Sequence, residues 1–89
     1  MDDIKRLIND IRADFHIPPF FPDTGLINYV EEGKAVLEQI NPGRSYDQDM
    51  VYRMLLKNYV YYAYHNITNE WEKNYSRMIL NWQLGSEVK

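Results

Sequence analysis

The side chains able to do chemistry are few and scattered. Two histidines, His16 and His65, stand in 89 residues without a single cysteine. A metal pair on a helix needs its second ligand three or four residues on. His16 is followed there by Pro19 and Phe20, and His65 by Thr68 and Asn69. His16, next to Ile17-Pro18-Pro19, reads as a loop residue, and His65 as the polar end of a helix. Glu31-Glu32 and the pair Glu70/Glu72 could in principle serve acid–base work, but each sits on a solvated helical face. There is no glycine-rich phosphate loop and no nucleophile elbow. Asn66-Ile67-Thr68 matches the glycosylation sequon; with no secretion signal at MDDIKRLIND it reads as a helix-capping turn. The pattern describes a protein that is not an enzyme and needs neither cofactor nor metal.

The elements carrying these residues follow from hydrophobic spacing. Residues 47–66, DQDMVYRMLLKNYVYYAYHN, hold five of the eight tyrosines and no Gly or Pro. They are expected to form one central helix, with Val51, Tyr52, Leu55, Leu56, Tyr59, Val60, Tyr62 and Ala63 on a single broad arc. Ahead of it, Ile4, Leu7, Ile8, Ile11 and Phe15 predict a short amphipathic helix over residues 2–15, with Arg12 and Asp14 outward. His16 to Pro22 then breaks the chain with three prolines, and Phe20 and Phe21 are expected to tuck under neighbouring helices. Residues 23–41 form the second helix, capped by Asp23 or Thr24. Its apolar stripe contains Gly33, which implies a close helix approach. Asn41-Pro42-Gly43 ends it, and Asp47 is expected to cap the long helix. A last helix over residues 69–84 carries Trp71, Tyr75, Met78, Ile79 and Trp82 on one face, with Gly85 as its terminator. The fold class is all-α: a single small domain, residues 1–89, of four helices around a long central apolar one.

Composition narrows the function further. The net charge of −3 argues against a surface built to neutralise phosphates, and no apolar run approaches the roughly 20 residues that span a bilayer. The second and third helices, joined by NPGRSYD, could imitate a helix-turn-helix. The recognition end would then read Asp47-Gln48-Asp49, with carboxylates where phosphates would lie. No sequence-specific nucleic-acid partner is expected, and no membrane. Aromatics make up 15% of the chain. Met50, Met54, Tyr61 and Tyr64 lie between the polar groups of the long helix, and Leu80 and Leu84 point away from the apolar face of the last one. Together these six exceed what one helical layer can hide, and they are the candidate protein interface.

The run of elements resembles a known family. An amphipathic helix ends in the turn Asn41-Pro42-Gly43-Arg44, and an acidic cap precedes a long helix containing LLKNYVYYAYHN. A last helix follows with Trp71, Tyr75, Leu80 and Leu84. Over most of its length this resembles the small head–tail connector (adaptor) proteins of tailed bacteriophages, in the flavour found in phages and prophages of low-GC Gram-positive bacteria. The resemblance implies a structural protein of the virion, assembled in the host cytoplasm and located at the head–tail junction. Its copies would form a ring beneath the portal that continues the DNA channel. Its partners would be itself, the portal and the tail-side connector proteins. A closed ring uses heterologous contacts, so each subunit needs two different adhesive patches. The alternative is a small helical regulator that binds one protein partner or dimerises.

Overall fold

Heptad-like spacing in the first segment becomes α1, Asp3–Phe15, which buries Leu7, Ile8 and Ile11. The structure, a computed structural model, describes residues 3–88, with side chains from residue 4 to residue 85. α1 stops at His16, whose φ of 56° is left-handed, and the Ile17 N–H closes the turn on the Arg12 carbonyl at 3.3 Å. Arg12 was expected to face water and does not. It turns back over the proline-rich connector, donating to the Pro18 carbonyl at 3.0 Å, the Phe21 carbonyl at 2.6 Å and the Asp23 carboxylate at 2.7 Å. The Pro18 carbonyl also accepts the Phe21 N–H at 3.0 Å, so the guanidinium is a second donor there and reaches on to the Phe21 carbonyl. The two phenylalanines also separate. Phe21 packs edge-on against Tyr64 at 4.9 Å, while Phe20 is 86% exposed. Phe21 sits in a tight turn closed on Pro18, where successive side chains diverge, so seating one ring expels the other.

α2 runs Asp23–Ile40. Its N-cap is Pro22, with no side-chain cap, because the Asp23 carboxylate is bound to Arg12. Leu26, Val30, Gly33 and Leu37 form its buried stripe. The expected close approach is present at Gly33: a Cβ there would lie 2.8 Å from Leu56 Cδ1 and 2.9 Å from Tyr59 Cδ1. Leaving out the side chain lets the central helix seat against α2. Gly43, at φ +86°, turns the chain beyond α2.

The central helix, α3, is Met50–Tyr64, shorter at both ends than residues 47–66. Its cap is Asp49, which accepts from the N–H groups of Val51 at 3.0 Å and Tyr52 at 3.2 Å. Asp47 is drawn away to an ion pair with Arg6. At the other end Asn66 adopts φ 62°, and the Ile67 and Asn66 N–H groups close on the carbonyls of Tyr62 and Ala63, each at 2.9 Å. This is the left-handed cap that asparagine tolerates better than most residues. A turn does form here, but over residues 65–67: it ends α3 two residues early, and Thr68 and Asn69 belong to α4.

α4, Thr68–Val88, is the longest element and passes straight through Gly85. Glycine permits a left-handed stop but does not force one, and here it keeps a right-handed conformation. Packing is organised around α3, which contacts all three other helices. Leu55, Leu56 and Val60 are fully buried there. Trp71 crosses from α4 to donate its indole N–H to the Leu55 carbonyl at 3.1 Å, and its ring meets Tyr59 edge-on at 5.1 Å. Trp82 reaches the other end of α3, donating to Asp49 at 2.9 Å. The result is an all-α domain with α3 at its centre.

Candidate protein interface

The outer arc of α3 carries four of the six interface candidates, and the fold divides them. Tyr61 stacks on Phe15 of α1 with centroids 4.5 Å apart, and Tyr64 packs against Phe21 of the connector. Both are half-buried and have partners inside the domain. Met50 and Met54, one turn apart on the same arc, have none of this cover: they are 69% and 40% exposed. The cations beside them are tied down. Arg53 donates to the carbonyls of Tyr46 at 3.1 Å and Asp47 at 3.3 Å and lies over the Tyr46 ring, while Lys57 pairs with Asp14 at 2.5 Å. The methionines are thus the adaptable apolar part of this face.

Leu80 and Leu84 form a ridge along α4, 53% and 50% exposed. Their side of the helix is opposite Trp71, Ile79 and Trp82, which fill the core. Shallow hollows open along α4, one on the α3–α4 seam and one beside Leu80. The first, lined by Val51, Arg77, Met78, Asn81 and Trp82, has a volume of about 440 Å3. The other is lined by Ile40, Ile79, Leu80 and Gln83 among others, and lies where the Gln83 amide donates to the Ile40 carbonyl at 2.9 Å. Met78, Val51 and Trp82 were not singled out as surface residues from sequence. Their spacing marks them as core, and only the splay between two helices opens a path to them. Phe20 was expected to be tucked in and is not; nothing in the sequence distinguishes it from Phe21.

The titratable groups make a different picture. His16 and His65 are both exposed at helix C-termini, and the His65 ring rests against Tyr61 at 4.6 Å. Glu32 accepts a hydrogen bond from the Tyr59 hydroxyl at 3.2 Å. Tyr46 donates to Asp10 at 3.0 Å. Burial first, and then that bond, push the Tyr46 phenol well above its usual range. Burial likewise raises Tyr52, Tyr59 and Tyr75. A narrower cleft beside Tyr46, lined by Leu7, Lys34, Arg44 and Asp47 among others, holds about 200 Å3, and its carboxylate is engaged by Arg6. Among the described residues no group of three or more His, Cys, Asp or Glu is placed to hold a metal ion.

Among the described residues no helix is long and apolar enough to cross a membrane. The chain matches no protein-family model, no curated protein and no solved structure.

Proposed function

We propose that this protein is a non-catalytic subunit of a protein assembly, and specifically a head–tail connector of a tailed bacteriophage. Copies form a ring between the portal and the tail-side connector proteins, within the virion. The observation that carries the reading is the pair of exposed apolar patches, Met50 and Met54 on α3 and Leu80 and Leu84 on α4. They lie on different helices and different faces, as a head-to-tail ring requires of each of its subunits. The acidic segment ahead of α3 supports a surface that does not grip DNA. Asp47 and Asp49 stand at the N-terminal end of α3, and Arg53, the cation of its first turn, is held by the carbonyls of Tyr46 and Asp47.

The test is electron microscopy of the purified chain mixed with the portal protein encoded beside it. The expected result is an added ring of density on the portal. A chain that leaves the portal bare, and instead forms a discrete complex with one host protein, would establish the regulator reading in its place.

A further inference from the structure

Phe20 is the most exposed large apolar side chain described, at 86%. It is not carried on a slack loop. Arg12 holds the backbone on both sides of it through the carbonyls of Pro18 and Phe21, and Phe21 is anchored under Tyr64. The ring is therefore a fixed knob whose ordering cost is already met within the fold. Near it the Asp23 side chain is 64% exposed; one of its oxygens is paired with Arg12, and the other is left to meet a cation from outside.

The hollow between α3 and α4 has the opposite character. Val51, Met78 and Trp82 give it an apolar floor, and Arg77 stands on its rim. Arg77 has no ion-pair partner among the described residues. The hollow is open to solvent, so a phenyl ring can lie against its apolar floor. Knob and hollow sit at opposite ends of the central helix. Phe21 packs on Tyr64, the last residue of α3, whereas Trp82 binds Asp49, its cap. At about 1.5 Å per residue that separates them by about 20 Å, so Phe20 cannot fill the hollow of its own chain.

We infer that Phe20 of one copy inserts between Val51, Met78 and Trp82 of a second copy, with Asp23 of the first facing Arg77 of the second. Shape supplies the aromatic anchor and charge fixes its orientation, which is how a small contact acquires a dominant residue. This contact presupposes the self-assembling subunit proposed above and names the junction between neighbours.

The absence of cysteine from the sequence makes the test clean. Chains carrying Pro19→Cys and chains carrying Asn81→Cys are mixed and oxidised. Disulfide-linked dimers are expected in the mixture and in neither variant alone, and Phe20→Asp in the first chain should abolish them. By sedimentation at up to about 1 mM, the unmodified chain should self-associate, and Phe20→Asp should weaken that at least about tenfold. Arg77→Glu should weaken it from the other side. Phe20→Asp should melt as the parent does, because the ring touches solvent. A parent that stays monomeric, a mixture that does not link, or links that survive Phe20→Asp would each overturn the contact. Portal-bound rings of Phe20→Asp chains would overturn it while leaving the connector reading intact. Linked copies that never engage a portal would do the reverse.

Discussion

Asp49 shows how much one side chain of this domain can decide. One oxygen takes the first free N–H groups of α3 and the other takes the Trp82 indole, so the cap also fastens α4 to the central helix. Replacing it by alanine removes the cap and leaves the largely buried indole N–H without its acceptor. Asp49→Ala is expected to cost about 1–3 kcal/mol in denaturant unfolding. Asp49→Asn, which keeps an acceptor for the backbone, should lose clearly less. Tyr61 and Met54 give a second contrast at this scale. Both were read from sequence as surplus on the outer arc, but Tyr61 has the Phe15 ring against it and Met54 is 40% exposed.

The elements differ in how they are attached. α3 is held by buried aliphatic and aromatic contacts, whereas the far end of α1 adds to Ile11 and the Phe15–Tyr61 stack the polar ties of Arg12 and the Lys57–Asp14 pair. Arg12→Ala should cost about 1.5–3 kcal/mol, since hydrogen bonds from a charged donor are lost to two carbonyls and a carboxylate. Its signature would be local: faster amide exchange in the last turn of α1 and quicker proteolysis within residues 16–22, with α3 still protected. Tyr46 ties the loop before α3 to α1 through Asp10, and its phenol is raised above the usual range, chiefly by burial. A raised phenol means that the fold holds the neutral form. Its stabilisation is complete below the unfolded value of about 10 and is lost as pH rises through the folded value. Thermal melts should therefore be level from neutral pH to roughly pH 9–10 and fall above it. Tyr46→Phe should make that alkaline decline shallower, although Tyr52, Tyr59 and Tyr75 still contribute to it.

For the whole molecule the question is which apolar surface belongs to the fold and which to a partner. Met54→Glu with Leu80→Glu alters two exposed positions and should change stability by no more than about 0.5 kcal/mol. Assembly on the portal should be lost, because a charge carried into an apolar contact has nothing to offset its desolvation. Tyr61→Glu should behave oppositely at the level of folding. Losing the stack on Phe15 should lower the melting temperature, at roughly 4–8 °C for each kcal/mol in a domain of this size. Calorimetry of the two variants beside a portal-binding assay separates the cases. A double variant that folds and still assembles would remove α3 and α4 as the binding faces.

The sequence by itself determined the class of fold and its plan. Apolar residues recur at helical spacing in four runs, prolines and glycines punctuate them, and only the third run has an apolar arc wide enough to need neighbours on several sides. The close approach at Gly33 was legible too, because glycine inside a buried stripe has a cost that a tight contact offsets. What tertiary structure alone decided were choices among equivalent local options. Asp47 and Asp49 are both competent caps, and the nearness of Arg6 to one and Trp82 to the other chose between them. Phe20 and Phe21 are chemically identical, and the single slot beside Tyr64 and Tyr29 admitted one ring. Gly85 could end a helix or continue it, and continued. Arg12, polar on an outer arc, bent inward because the folded connector brought two carbonyls and the Asp23 carboxylate within its reach. Periodicity reports which face of a helix is apolar; it does not report which neighbour covers that face, because the covering residues are remote in sequence and meet only when the chain is packed.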